Sequence, residues 1–249
     1  MQKSFSNMTP TAQRITKIVV QPFEQHKYKD FPIIVLPEKM NDCGITATRK
    51  FIWEHGKNKR YMVMDDDILM KTRTPDEEKS KRTMTEEDWC YMLDTVSKWM
   101  AEGIAWGGCR SCLPPAGKEY IENSGTAEVF FFDGNQLPSA DELDWSLSTA
   151  EDISLSLQLL SKGYRNRIFD RFVYQSDFIG TEGGCLTMGR NMDMINNNHA
   201  KLIEKFPEYI SWNGEKEIRG ETMKKIKIMY KKAYLDSQKS KANLLDFMQ

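Results

Sequence analysis

The sequence predicts an α/β fold with a sheet of largely parallel strands, because short β-branched runs alternate with a helical pattern near its start. RITKIVVQPF and FPIIVLPE are both typical of buried strands. From Ile45 to Ile52, apolar residues then recur at helical spacing, and Gly56 is a typical helix stop. RYMVMDDD follows as a third strand. Strand, strand, helix and strand in succession between residues 14 and 67 are the order from which parallel sheets are built.

The later segments continue this alternation. DWCYMLDTVSKWMAEG has the pattern of an amphipathic helix, and AEVFFFDG that of a buried strand. In STAEDISLSLQLLSKGY we expect a helix with Ser148 or Thr149 as its N-cap and Gly163 at its end, followed by a strand in NRIFDRFVYQSDF. The remainder is expected to be mostly helical, and residues 1–13 to be a loose lead-in. These features predict one domain over residues 1–212 and a basic, helical extension over residues 213–249.

The composition narrows the class of protein. Among 249 residues, 35 Lys and Arg stand against 36 Asp and Glu, so no overall basic field indicates nucleic acid. Five scattered cysteines and the lack of a secretory leader favour a reduced chain in the cytoplasm. No apolar stretch approaches the roughly 20 residues that cross a bilayer, so we expect no membrane association.

Three acidic residues, Asp65, Asp66 and Asp67, come directly after the third apolar strand. In α/β sheets, ligands bind at the carboxyl ends of strands. Asp65 and Asp67 occupy alternate positions and can present carboxylates on one side, with Asp66 facing the other way. Mg²⁺ and Mn²⁺ prefer such oxygen ligands, and this is the Asp-x-Asp pattern of nucleotide-sugar transferases. Taken alone, the same acids also fit a solvated turn.

A second acidic pair, Glu151 and Asp152, opens a predicted helix. Acids at this position commonly offset the helix dipole. They also could point from the helix start into the same cleft and take a proton from an acceptor hydroxyl. The sequence leaves both interpretations open.

A basic stripe near the carboxyl end has the spacing of an amphipathic helix. Its lysines are Lys224, Lys225, Lys227, Lys231 and Lys232. The stripe fits either a solvated helix face or a set of contacts to DNA phosphates. Similarly, Trp106, Trp145 and Trp212 fit either buried anchors or stacking partners for a base or sugar.

Several motifs together resemble the TET/JBP-associated glycosyltransferases of phages, mobile elements and kinetoplastids. That family combines a Gly-Ile-x-x-x-Arg helix, an Asp-Asp-Asp strand end, a Glu-Asp-x-x-x-Ser-Leu helix and a late Thr-x-x-Gly-Gly. The corresponding segments here are GITATRKF, YMVMDDDI, EDISLSLQLL and TEGG, and the resemblance spans roughly Ile15 to Trp212. Two departures are PSADELDWSLST, which lacks a Trp-Arg-rich run, and Cys185 in place of Asn.

The resemblance implies a GT-A-like, Rossmann-like nucleotide-diphospho-sugar transferase fold with a mixed, mostly parallel sheet. It also implies transfer from a UDP-sugar, with Mn²⁺ or Mg²⁺, to the hydroxyl of 5-hydroxymethylcytosine or 5-hydroxymethyluracil in DNA. The alternative acceptor is a glycan, a lipid-linked sugar or a protein. The implied setting is a phage-encoded enzyme in the host cytoplasm, with a nucleotide sugar and DNA as partners and no partner protein.

On the donor side, the resemblance assigns the metal to Asp65 and Asp67, with Asp66 beside the donor. Arg49 would face the diphosphate. His199 could add a further metal ligand, as a C-terminal His does in several GT-A enzymes, or could simply be a surface residue at a helix start.

On the acceptor side, the resemblance makes Asp152 the acid or base, with Glu151 beside it. Gly183 and Gly184 would let the backbone approach the donor or the acceptor. Two other classes remain as rivals: a nucleotidyltransferase, although QPFEQHKYKD offers no Gly-rich phosphate loop, and a non-catalytic binding module.

Overall fold

The computed structural model describes residues 3–74, 80–112, 118–176, 192–218 and 220–247. A Thr-Glu-Glu segment starts a long helix: the Thr85 hydroxyl accepts the Asp88 N–H, and the Asp88 side chain accepts the Thr85 N–H. Within the described ranges the α-helices are α1 (Lys3–Ser6), α2 (Pro10–Ile15), α3 (Gly44–His55), α4 (Glu86–Ala101), α5 (Glu151–Ser161), α6 (Met192–Lys205) and α7 (Tyr230–Phe247).

The strands form one large sheet and two small ones. β1 and β2 pair in parallel, β10 and β11 form an antiparallel hairpin, and the large sheet has the order β3-β8-β6-β9-β4-β5, with β7 also paired to β9. The strands are β1 (Ile18–Val20), β2 (Ile33–Val35), β3 (Arg60–Met64), β4 (Leu69–Arg73), β5 (Lys81–Thr83), β6 (Trp106–Arg110), β7 (Tyr120–Glu122), β8 (Val129–Asp133), β9 (Asn166–Gln175), β10 (Ile210–Ile218) and β11 (Glu221–Ile228).

The expectation of a mostly parallel sheet is wrong. Within the described part of the large sheet, β6 and β9 form the one parallel pair, and the other neighbours are antiparallel. The mixed α/β architecture itself is confirmed. Because β8 runs antiparallel to both β3 and β6, and β6 is parallel to β9, the carboxyl ends of β3, β6 and β9 still share one edge.

Two hydrophobic clusters cover the two faces of this sheet. Alternate residues of a strand point to opposite faces, and β8 shows this directly. Phe131 packs in one cluster with Trp99 of α4, whereas Phe130 packs in the other with Trp53 of α3 and Leu155 of α5. Helices on both faces therefore hold the sheet edges in fixed positions.

Both ends of the chain differ from the sequence-based expectation. Residues 3–6 and 10–15 are helical rather than a loose lead-in, and buried Ala12 belongs to the α4 cluster. The helix expected in MKKIKIMYKKAY is instead strand β11 followed by the first turns of α7. Ile226 and Ile228 alternate with Lys225 and Lys227, and this period of two fits a strand with one face packed.

The predicted domain boundary after Trp212 lies within β10. Ala233 of α7 is fully buried and packs in the same cluster as Leu157 of α5. The division into two domains stays a prediction. No helix in the described part of the chain is long and apolar enough to span a bilayer.

Candidate active site

The three aspartates lie at the carboxyl edge of the large sheet, where β3 ends. The Asp65 N–H donates to the Glu128 carbonyl (3.1 Å), which continues the β3–β8 ladder by one residue. Ser4 of α1 then fixes the turn: its hydroxyl donates to the Asp65 carbonyl (2.6 Å) and accepts the Ile68 N–H (2.7 Å). The Ser4 N–H donates to the Asp66 carbonyl (3.0 Å). The acid loop, residues 65–67, is therefore held by buried hydrogen bonds to the first helix.

The side chains of the acid loop divide as their alternation predicts. Asp65 and Asp67 are half-buried, whereas Asp66 is exposed. Asp65 is 30% exposed and therefore reachable from solvent on one side.

Arg49 of α3 joins the two acidic segments. Its Nη2 donates to Asp65 Oδ1 (2.9 Å), and its Nε lies 2.9 Å from Glu151 Oε1. The second contact is an ion pair without hydrogen-bond alignment, since Nε has no hydrogen-bond partner. The guanidinium is only 8% exposed and lies over the Phe130 ring, with Cζ 5.5 Å from the ring centroid. The charge of Arg49 is thus paired with two carboxylates of the chain.

The helix start at α5 places Glu151 and Asp152 opposite the acid loop. The expected cap at Ser148 or Thr149 is absent, because Ala150 is the N-cap residue and has a left-handed backbone (φ 60°). Thr149 instead accepts a hydrogen bond from Asn198 of α6. Glu151 is 9% exposed, and Asp152 Oδ1 accepts the Ile153 N–H (2.8 Å).

Glu128 is a site residue that sequence reasoning missed. It immediately precedes β8, beside Asp65, and has a left-handed backbone with φ 61°. For a residue with a side chain this conformation costs about 1–2 kcal/mol, and such strain is concentrated at functional sites. The available signal was an acid placed directly before VFFFD, a strand that pairs with the one ending at the aspartates.

The site brings several carboxylates together where they are partly shielded from water. Burial raises the pKa of Asp65 to about 6, with Arg49 opposing the shift and Asp152, Asp67 and Asp66 adding to it. Burial likewise raises the pKa of Glu151 to about 7, against the effect of Arg49.

The other charged groups respond to the same cluster. Burial and the nearby Asp65 raise the pKa of Glu128 to about 7. The pKa of Arg49 is raised, because the surrounding carboxylates outweigh its burial, which alone would lower it. One buried cation therefore faces several carboxylates, and the site has spare capacity for positive charge.

Other predicted site residues lie elsewhere or outside the described ranges. His199 is in α6, with Nδ1 2.7 Å from the Lys224 carbonyl of β11, and its metal role stays a prediction. Gly183 and Gly184 lie outside the described residues. Trp106 is buried and Trp145 is half-buried, and each donates its indole N–H to a backbone carbonyl, whereas Trp212 is 47% exposed.

Comparison with known proteins gives one clear finding. A family model described as TET-Associated Glycosyltransferase matches residues 6–184 of the 249, well over half of the chain. The match includes Arg49, the acid loop, Glu128 and the Glu151–Asp152 pair, and it confirms the resemblance of the sequence motifs. No curated protein and no solved structure matches the chain.

Proposed function

The chain belongs to the TET-associated glycosyltransferase family, and from this premise we propose how it transfers a sugar and to what. It is a glycosyltransferase of a family linked to TET/JBP DNA modification. The proposed donor is a UDP-sugar, the cofactor is Mn²⁺ or Mg²⁺, and the acceptor is the hydroxyl of a hydroxymethylated pyrimidine in DNA. The proposed fold type is GT-A, and the proposed setting is a phage-infected cytoplasm.

The observation that carries this proposal is the Arg49 bridge between Asp65 and Glu151. It holds a strand-terminal acid and a helix-start acid on either side of one guanidinium. A transferase needs one group of residues for the departing diphosphate and another for the acceptor hydroxyl. Both groups must lie around the same anomeric carbon. The two acidic segments supply these two groups.

The donor set fits a divalent cation. Mg²⁺ and Mn²⁺ are commonly held by one or two carboxylates, with substrate phosphates completing the shell. Asp65 and Asp67 supply half-buried carboxylate oxygens, and burial, with a smaller contribution from the neighbouring carboxylates, raises the pKa of Asp65 to about 6. Among the described residues, no group of three or more His, Cys, Asp or Glu could hold a metal ion. When bound, the cation would neutralise charge on the departing diphosphate.

Arg49 and Glu151 position the reacting groups. Arg49 is too enclosed to reach out to a diphosphate, so in place of the role implied by the family motif we assign it to the orientation of Asp65 and Glu151. Asp152 follows at the first turn of α5, and the carboxylate of Glu151 is already engaged by Arg49. If transfer inverts the anomeric centre, Asp152 is the base that takes the acceptor proton.

The test is a direct product analysis. The protein is incubated with Mn²⁺, a panel of UDP-sugars, and duplex DNA containing 5-hydroxymethylcytosine or 5-hydroxymethyluracil. Mass spectrometry of the digested nucleosides identifies the donor and the base together. We expect a hexosyl or pentosyl mass increase on one hydroxymethylated base, and none on unmodified DNA.

Matched variants and controls define what would contradict the proposal. Asp67→Asn is expected to remove transfer without a change in the circular dichroism spectrum, and near-normal turnover would remove the metal assignment. Transfer of the sugar to a glycan, lipid-linked sugar or protein acceptor, with release of UDP and no modification of DNA, would keep the enzyme class and replace the acceptor.

A further inference from the structure

The β10–β11 hairpin, residues 210–228, extends beyond the part of the chain that the family model covers. We propose that this hairpin, the basic arm, grips duplex DNA through its phosphates and presents it to the carboxylate site. The proposal rests on the proposed DNA acceptor and adds the surface that binds it.

Charge distribution separates the basic arm from the rest of the chain. The whole protein has a net charge of −1, yet the arm contains five Lys and Arg against three Asp and Glu, and residues 229–241 add four Lys and one Asp. Within the described ranges, Lys224, Lys225, Lys227 and Lys231 form no ion pair with another residue, whereas Lys232 pairs with Asp236. Lys224 lies opposite Glu215 in the ladder, whereas the other three have no carboxylate partner in the described part of the chain and are available to a polyanion.

The register of the hairpin shows which lysines face outward. Ile226 and Ile228 lie opposite Trp212 and Ile210, and these isoleucines pack in the hydrophobic cluster of α5 and α7. Strand alternation therefore places Lys225 and Lys227 on the opposite, outer face. An antiparallel two-stranded ribbon of this kind fits a groove of duplex DNA.

On the same face as Ile226, the arm also carries an exposed aromatic ring beside a lysine. Trp212 is 47% exposed, and Lys224 Nζ lies 5.9 Å from its ring centroid. The backbone here bulges between Trp212 and Glu215, and Gly214 has φ 75°, which turns the strand at this point. A lysine and an exposed ring side by side offer a phosphate contact and a stacking surface together.

The base of the arm adjoins the acceptor-side carboxylates. Tyr230 begins α7, two residues after β11 ends, and its ring lies against Gly125, where a side chain would collide with it. Burial and the nearby Asp152 both raise the pKa of Tyr230. On the other side, Asn196 and His199 of α6 bond to the backbone of β11 at Lys224. Ile226 and Tyr230 pack in the same hydrophobic cluster as Ile153, the residue after Asp152, so a duplex held by the arm lies on the acceptor side of the site.

Phosphate contacts of this kind have a quantitative signature. Each neutralised phosphate contributes about −0.9 to the slope of log affinity against log salt concentration. The contacts carry no sequence information, so the arm is expected to bind modified and unmodified duplexes alike.

The experiment compares the full-length protein with the triple variant Lys224→Gln, Lys225→Gln, Lys227→Gln. Fluorescence anisotropy with a labelled duplex, repeated at several salt concentrations, gives the affinity and its slope. The variant is expected to bind at least about tenfold more weakly near 0.1 M salt, with a slope less steep by about 3. Calorimetric binding of UDP with Mn²⁺ is expected to stay unchanged, which shows that the site remains folded.

The matched control neutralises three lysines at the opposite edge of the sheet: Lys57→Gln, Lys59→Gln, Lys162→Gln. These exposed residues precede β3 and β9, and their loss is expected to leave DNA affinity within about twofold of the wild type. The proposal that the arm binds DNA would be overturned by either of two results. One is an equal loss of DNA affinity in both triple variants, and the other is wild-type affinity and salt slope in the arm variant.

The outcomes also separate the arm from the proposed function. If the arm variant keeps its DNA affinity and still transfers sugar to DNA, the proposed role of the arm is refuted and the proposed function stands. If the arm binds DNA in a salt-sensitive way but no hydroxymethylated duplex receives a sugar, the proposed role of the arm stands and the proposed function is refuted.

Discussion

Two aspartates at opposite ends of one strand pair have opposite environments. Asp133 ends β8, and Asp65 follows β3, its antiparallel neighbour. Asp133 is 2% exposed and accepts hydrogen bonds from Arg60 Nε (3.2 Å), Asn135 Nδ2 (2.8 Å) and Gln136 Nε2 (2.9 Å). These bonds outweigh its burial and hold its pKa below the ordinary range. Burial raises the pKa of Asp65 to about 6, with its one arginine opposing the shift and its carboxylate neighbours adding to it.

The difference indicates which strand-terminal acid is the candidate for a functional role. A carboxylate whose lone pairs are all used by donors of the chain has no capacity for a ligand, and it contributes to stability. A carboxylate that other carboxylates surround is destabilised until a cation arrives, and it marks a candidate site. Solvent exposure does not separate the two, since Asp133 is the less exposed; the hydrogen-bond donors around Asp133 do.

The largest expected effect is on catalysis at Asp65. Asp65→Asn is expected to lower kcat/KM by about a thousandfold, about 4 kcal/mol, because it removes a ligand from the proposed cation. Asp133→Asn, assayed well below its melting temperature, is expected to retain activity per folded molecule. Steady-state kinetics with UDP-sugar and hydroxymethylated DNA measure both. Comparable losses in the two variants would erase the distinction drawn between the strand ends.

The next largest contrast is expected between substitutions of the arginines at the two ends, Arg49 and Arg60. Arg49→Lys keeps the charge but cannot reach Asp65 and Glu151 at once, and we expect about a hundredfold loss of transfer. Arg60→Lys replaces a half-exposed partner of Asp133 and is expected to change stability by about 1 kcal/mol or less. Kinetics and thermal melts on both variants measure the contrast. An Arg49→Lys enzyme with wild-type kcat would show that the bridge is not needed for positioning.

Asp133 itself should matter for stability. Asp133→Asn removes an ionised acceptor from four donor groups, counting the Asn135 backbone N–H, and is expected to cost about 1–3 kcal/mol. Urea unfolding, followed by tryptophan fluorescence, gives the free energy of unfolding. A variant as stable as the wild type would mean that these bonds contribute little.

The smallest expected effect is a pH dependence of opposite sign at the two ends. Asp65 has a folded pKa of about 6 against an ordinary 3.8, and Glu128 and Glu151 about 7 against 4.5. The folded state therefore binds more protons between these values, and its stability falls as pH rises from about 4 to about 7. Asp133, with a lowered pKa, loses its stabilising effect only as pH falls below about 4.

Thermal melts in metal-free buffer test this sign. The melting temperature is expected to be lower at pH 7.5 than at pH 5.5, and Glu128→Gln should reduce the difference. Added Mn²⁺ should restore stability at the higher pH, since it binds ionised carboxylates. A melting temperature that rises steadily over this range would contradict the raised pKa values.

Much of the central fold could be predicted from the sequence. The strands at residues 60–64, 129–133 and 166–175, and the helices at residues 44–55, 86–101 and 151–161, have long or strongly apolar patterns. Strand direction could not be predicted, because β4, β5 and β7 are short, and pairing depends on contacts between distant residues. The lysine stripe was misassigned because Met223, Ile226, Met229 and Tyr230 satisfy a helical spacing while the KKIKI core also alternates.

The candidate site was predicted only in part. The acid loop and the Glu151–Asp152 pair were found from runs of acids at element ends. The bridging position of Arg49 and the role of Glu128 depend on the β3–β8 pairing, which no local pattern encodes. Ser4 was overlooked because the polar segment around it gives a weak helical signal, and its contacts reach residues more than sixty positions away.

Those Ser4 contacts have a practical consequence for anyone who produces this enzyme. A protease that trimmed the chain between Ser4 and Thr9 would release the acid loop, and the result would be measured as a defective catalyst rather than as a slightly shorter protein.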